Sequence, residues 1–337
     1  MVQQLMGNFH CTFKERLSNR IFPVLQPAMG VGSAFEGWAS HQNTAYCMFV
    51  PLKAPYGYSF SLEPDSTQKL AGRNFRIRVQ QECTCMGEKL LGQVLCFVHQ
   101  PQQELRRNHG PSFFYVLCKG AYLDVEKTAR WFQNIMPSIW KQLPQSRYYK
   151  MQLLSSKRSC KLKLTDASQS PVFVDLIFGM QQDNSDIFVS SQISLDEPIT
   201  PSTTWPESCT MAEAKFFRYV ARKAQPGSCH LRCLQLCAGM VKGTDFSTYT
   251  MKTIVMHLLT TTSRSDWQES YFLPRLKDIM QFLHRCLEEK CLNHFFFGNK
   301  NVSKEIILLP GFREAEPFNI YKHLAEDPSL HAKALRN

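Results

Sequence analysis

Gly32 and Ser33 form the one short junction in the chain that suggests phosphate chemistry. They sit within Gly30-Val31-Gly32-Ser33-Ala34-Phe35-Glu36-Gly37-Trp38, between a helix-like stretch and an apolar run. A glycine lets backbone approach a ligand closely, and a serine hydroxyl with neighbouring N–H groups can hold a phosphate. Phosphoryl transfer would need more from the strand that follows. Two carboxylates at i and i+2 point the same way and can share divalent metal. That strand reads Asn43-Thr44-Ala45-Tyr46-Cys47-Met48-Phe49-Val50 and contains no acid.

Asp175 is a second candidate, a lone charge in Val172-Phe173-Val174-Asp175-Leu176-Ile177-Phe178. Burying a carboxylate is costly unless it is paired or metal-bound. Two readings stand side by side: a site residue, or a carboxylate satisfied by a neighbouring arginine or backbone N–H. Glu63 and Asp65 are also spaced i, i+2, but Pro64 between them argues against a central strand. Thirteen cysteines include the trio Cys229, Cys233 and Cys237, whose spacing places them on one helix face as small core residues. No CxxC pair occurs, and neither His230 nor His257 completes a zinc-ligand spacing, so no metal or other cofactor is expected. The odd cysteine count and absent motifs favour reduced thiols and a cytosol-facing domain; the sequon Asn301-Val302-Ser303 points the other way.

The 337 residues suffice for one large domain or two lobes, and 44% hydrophobic with 20% charged residues is ordinary for a globular protein. No run of 18 apolar residues occurs, and the first residues lack signal-peptide features, so the expectation is a chain soluble by itself. The net charge of +11 permits anionic partners. Its lysines and arginines form only short clusters, Arg73–Arg78, Lys157–Lys163 and Arg218–Lys223. That distribution reads as a solvated basic surface.

The elements that must position these residues follow from periodicity. Leu5, Phe9, Phe13, Leu17 and Ile21 recur every four residues and predict a long helix over 1–25. Strands are predicted over Tyr46–Leu52, Tyr58–Leu62 and Phe75–Val79, a short helix over 87–99 and a loop over 101–110. Asp124 is a good N-cap for a helix with Val125, Ala129, Phe132, Met136, Ile139 and Leu143 inward, kinked at Pro137. Residues 150–165, 171–180 and 186–192 read as strands, and 196–208 as a Pro/Ser/Thr-rich loop. Beyond it the chain reads as helical: 211–224, a helix capped by Ser228, another capped by Ser247, and 274–287. The tail from His323 is expected to fray.

Several blocks together resemble the inositol trisphosphate receptor-interacting protein-like family: residues 30–38, 123–132, 186–192, Trp205-Pro206-Glu207-Ser208, 229–235 and Phe246-Ser247-Thr248-Tyr249-Thr250-Met251-Lys252-Thr253. More distantly the chain resembles the Mab-21 domain, which includes cyclic GMP-AMP synthase. The resemblance implies an α+β, bilobal architecture: a nucleotidyltransferase-like lobe over 1–200 packed on an all-helical lobe over 205–325, with a polar tail over 326–337. It implies a vestigial nucleotide site of Gly32, Ser33, Asp175, Thr248 and Tyr249, with the paired metal-binding acids replaced at Thr44 and Tyr46. No zinc-binding insertion lies between Val220 and Cys229, which argues against a nucleic-acid partner. The chain is therefore expected to be no enzyme but a pseudo-nucleotidyltransferase that binds a protein. The family name implies the inositol trisphosphate receptor as that partner, and membrane association through a segment outside this chain. The alternative is a domain that binds a nucleotide or inositol phosphate without catalysis.

Overall fold

A computed structural model of the chain describes residues 1–17, 22–40, 45–65, 73–83, 116–192, 200–241, 244 and 246–335. The helix expected over 87–99 and the loop over 101–110 lie outside them, as does Thr44. The chain divides into two compact units. The first comprises Met1–Gly32, Asn43–Gln182 and Ile187–Ser208, the second Ser33–Gln42, Asp183–Asp186 and Cys209–Asn337.

The first unit is a mixed sheet with helices on it. Helix α1 (Val2–Leu17) buries Leu5, Phe9 and Phe13, as its four-residue stripe requires. It stops short of the expected end. Val24–Leu25 is instead a strand, β1, pairing antiparallel with β3 (Ala45–Lys53). Pro23 and Pro27 account for the change, because each biases the residue before it towards extended backbone. Strand β2 (Met29–Val31) pairs with the other half of β3. Then follow β4 (Tyr58–Pro64), β5 (Asn74–Gln81), β6 (Cys118–Lys119) and β7 (Tyr122–Leu123). Helix α3 (Val125–Trp140) comes after α2, a short helix in the second unit. Asp124 caps α3 as expected, accepting from the Lys127 N–H at 2.9 Å and from the Ser202 hydroxyl at 2.6 Å. The helix continues through Pro137.

Strands β8 (Lys150–Leu154), β9 (Cys160–Thr165), β10 (Pro171–Gln181), β11 (Phe188–Ser190) and β12 (Thr204–Ser208) complete the sheet. Its order is β1-β3-β10-β11-β12-β5-β7-β6, with β8 and β9 joined to β10. β12 falls where a loop was expected. Trp205 explains it: the ring is fully buried and its N–H donates to the Leu123 carbonyl at 3.0 Å. One anchored aromatic outweighs the Pro/Ser/Thr composition around it. The core runs from α1 through α3 into the sheet, with Phe9 against Phe132 and Phe132 against Phe178.

The second unit begins with α2 (Ser33–Glu36), a single turn. Its larger helices are α4 (Thr210–Lys223), α5 (His230–Met240), α6 (Thr248–Thr261) and α7 (Phe272–Glu288). Ser247 caps α6 by accepting from the Thr250 N–H. Ser228 does not cap α5; Cys229 occupies that position, and the Ser228 hydroxyl bonds Nδ1 of His230 at 2.8 Å. The end of the chain is not frayed throughout. α8 (Lys322–Glu326) and α9 (Pro328–Ala334) form there, and Asp327 caps α9 by accepting from the Ser329 and Leu330 N–H groups.

Candidate functional site

Gly32 has φ +76°, a left-handed conformation that a side chain would strain. A Cβ there would meet no neighbour within 4 Å, so the glycine serves the backbone path rather than close packing. It follows β2, whose Val31 is level with Cys47 on β3.

The parallel register between β3 and β10 decides which residues could act together. Asp175 is level with Cys47, Phe173 with Ala45, and Val174 with Tyr46. Side chains level with one another share a face, and those one residue away take the opposite face. The β3 residues on the face of Asp175 are therefore Cys47, level with it, Ala45 on one side, and Phe49 and Pro51 on the other. Tyr46, expected as one of the replaced metal positions, lies on the opposite face with Val174. Neither Ala45 nor Cys47 is an acid.

The antiparallel register with β9 sets Lys161 level with Asp175. The Lys161 ammonium is 3.8 Å from Oδ2 of Asp175. The other oxygen, Oδ1, is buried without a hydrogen-bond partner. Asp175 and Lys161 line an open cleft of about 480 Å³ together with Ala45, Leu154, Leu162, Pro171, Phe173 and Val174. A divalent metal of the kind used in nucleotidyl transfer does not fit this donor set: a single carboxylate, already beside an ammonium, cannot hold two ions. Glu63 and Asp65 do not substitute. Glu63 is held by the Tyr122 hydroxyl at 2.8 Å and Arg78 at 3.0 Å, while Asp65 accepts from the Thr204 hydroxyl at 2.7 Å.

In the second unit, Ser33 opens α2, and its carbonyl accepts from the Gly37, Trp38 and Ala39 N–H groups. Thr248 is exposed at the start of α6. Tyr249 is half-buried, and its pKa is pushed well up, first by burial and then by the charge of Glu213. The ring lies 6.4 Å from that of His294. This makes Tyr249 a packed residue more than an open stacking platform.

Sequence reasoning missed the densest polar cluster of the unit. Lys252 donates to Glu36 and to Glu213, each at 2.6 Å, and Glu36 also accepts from the Trp38 indole N–H at 2.7 Å. Lys252 and Glu36 share the blocks that carried the resemblance, but charges 216 residues apart give no periodic signal of pairing. The cysteine trio behaves as expected of core residues. All three are buried and their thiols are pushed up in pKa, Cys237 to about 11. His230 is drawn down to about 4 by burial. No group of three or more metal-ligating side chains occurs among the described residues.

Comparison with known proteins shows what the chain is similar to. Residues 231–306, which run from α5 into the segment after α7, match the Mab-21 protein HhH/H2TH-like domain. Inositol 1,4,5-trisphosphate receptor-interacting protein-like 1 of Rattus norvegicus is 34% identical over 325 residues, covering 93% of this chain. The inositol 1,4,5-trisphosphate receptor-interacting proteins of Bos taurus and Homo sapiens are 27% and 28% identical, each over 91% of the chain. The chain spans 59% of the length of the rat and bovine relatives and 60% of the human one. The kinship expected from the sequence is thus borne out: the chain carries a Mab-21 C-terminal domain and is a relative of the receptor-interacting proteins.

Proposed function

We propose that the chain is a catalytically inert, nucleotidyltransferase-like module that binds a protein, and that the inositol trisphosphate receptor is its partner. The observation that carries the inert half is the register of β3 on β10. It gives Asp175 two uncharged neighbours, Ala45 and Cys47, on the face where a metal site would need carboxylates. Lys161 stands where a metal would neutralise Asp175. Metal supplies most of the charge stabilisation in phosphoryl transfer, so this frame supports binding and not turnover. The partner is suggested by the names of the relatives. Membrane association belongs to the same proposal and would come from sequence outside this chain, since no helix among the described residues is long and apolar enough to cross a bilayer.

The test has two arms. The purified chain, incubated with Mg²⁺ or Mn²⁺ and nucleoside triphosphates, is expected to give no product; a product lost on Asp175→Asn would overturn the inert reading. Affinity capture from detergent-solubilised membranes is expected to enrich the receptor over a control domain, and capture at background level would remove it as the partner.

A further inference from the structure

We propose that the outer edge of β8 docks a partner polypeptide, which joins the sheet as one more antiparallel strand whose residues alternate between acidic and apolar. The inference rests on the protein-binding reading and names the surface that would serve it.

A proline reveals which groups face outwards. β8 pairs with β9 and, among the described residues, with no other strand. In an antiparallel ladder, successive residues direct N–H and C=O first to one neighbour and then to the other. Thr165 on β9 is level with Pro171 on β10, and proline has no N–H to exchange. Thr165 therefore directs its own N–H and C=O to β8, as do Lys163 and Lys161 at two-residue intervals. Their partners on β8 are Lys150, Gln152 and Leu154. Met151 and Leu153 come between these and turn their N–H and C=O away from β9. No backbone group among the described residues meets them there. A row of unpaired groups on a strand edge is the template for a strand added from a partner.

The two faces of the sheet set the side chains of that strand. Met151 and Leu153 are level with Leu164 and Leu162, which are buried, yet they are themselves only half-buried. The apolar layer thus runs past β9 and ends incompletely covered at β8. Apolar residues at every second position of an added strand would continue it. The opposite face carries Lys150 on β8 and, level with Gln152 and Leu154, Lys163 and Lys161 on β9. Lys161 has Asp175 at 3.8 Å, whereas Lys150 and Lys163 have no carboxylate within ion-pair distance among the described residues. Charge complementarity therefore places glutamates or aspartates at the alternate positions.

A fluorescein-labelled heptapeptide, Glu-Val-Glu-Val-Glu-Val-Glu with a C-terminal amide, titrated with the full chain and read by fluorescence anisotropy, tests this directly. Saturable binding is expected. The valines would exchange hydrogen bonds with Met151 and Leu153, so methylating the valine nitrogens should weaken binding at least tenfold. Methylating the glutamate nitrogens, which point away from β8, should change it by about twofold at most. Replacing the glutamates by lysines should weaken it at least tenfold. Leu153→Pro removes an outward N–H and keeps the bonds to β9, a position where edge strands tolerate proline, and should also weaken binding at least tenfold. The idea is overturned if the heptapeptide does not bind, if the two methylated peptides bind alike, or if a folded Leu153→Pro chain binds normally. The methylated peptides on the unaltered chain decide the matter should that variant fail to fold. A chain that dimerises in sedimentation and loses the dimer on Leu153→Pro holds a second copy on this edge, which also overturns it. Receptor capture separates the two proposals. Failure of the heptapeptide with receptor capture intact overturns the edge and spares the protein-binding reading; heptapeptide binding without receptor capture supports the edge and removes the receptor.

Discussion

Lys252 is the single cation between Glu36 and Glu213, 2.6 Å from each, and all three side chains are under 10% exposed. It ties the segment 33–42 to α4 and α6 inside the second unit. Its ammonium is also 5.7 Å from the centre of the Phe217 ring. Removing one partner of a buried ion pair leaves an uncompensated charge, which costs roughly 3–5 kcal/mol. Lys252→Met is therefore expected to destabilise the chain by about that amount in urea unfolding followed by circular dichroism. A loss below about 1 kcal/mol would mean that the cluster is solvated or rearranges freely.

The same cluster should make stability depend on pH in a defined direction. Burial raises the pKa of Glu36 above its ordinary 4.5, more than Lys252 lowers it, and the charge of Glu213 adds to the rise. Burial pulls Lys252 down, but the two carboxylates outweigh it and hold its pKa above 10.5. The neighbouring titratable groups are Tyr249, pushed well up, and His294, drawn down to about 4 by burial. A group whose folded pKa is raised contributes stability that is full below its unfolded pKa and is lost as pH rises through the folded one. The Glu36 contribution should thus be largest at and below about pH 4.5 and decline above it. Glu36→Gln, uncharged throughout, should flatten this part of the profile. Urea midpoints of both chains measured from pH 4 to 8 check it, and parallel profiles would refute it.

Much of the fold was legible in the sequence, for reasons that differ by element. The stripes of α1 and α3, the strand β5 and the caps Asp124 and Ser247 are local signals, and each forms, α1 only as far as Leu17. Strands β1 and β12 were missed because they depend on distant partners, Leu52 for Leu25 and Phe75 for Trp205. The site was legible only in part. Asp175 stood out as a charge in an apolar run, and Lys161 lay in a predicted strand, but their pairing needs the β9–β10 register. The face that Tyr46 takes is hidden in the same way: inter-strand register fixes which face a side chain takes, and no local pattern carries it.

Gly179 and Gly32 offer a contrast between space and backbone. A Cβ at Gly179 would collide with the Val189 carbonyl oxygen and the Phe49 ring, both within the sheet core. Gly179→Ala should cost about 3 kcal/mol, since neither neighbour can retreat without distorting the strands. Gly32→Ala faces open space and only the conformational penalty of φ +76°, roughly 1–2 kcal/mol. Thermal melts should rank Gly179→Ala well below Gly32→Ala, and the reverse order would show that the packing around Gly179 is looser than these contacts indicate.

The register of β3 on β10 can be read by putting a carboxylate back. Cys47 is level with Asp175 and shares its face, whereas Tyr46 points away with Val174. Cys47→Asp should therefore place two carboxylates side by side and create a site for a hard divalent cation, which takes oxygen ligands. Lys161 would oppose it by holding Asp175, so the double variant Cys47→Asp with Lys161→Met should bind more tightly still. Tyr46→Asp is the control on the opposite face. Isothermal titration with Mn²⁺ is expected to detect binding to the double variant, at least tenfold tighter than to the unaltered chain, and no gain for Tyr46→Asp. Binding that follows position 46 in place of 47 would show that the two strands pair one residue out of this register.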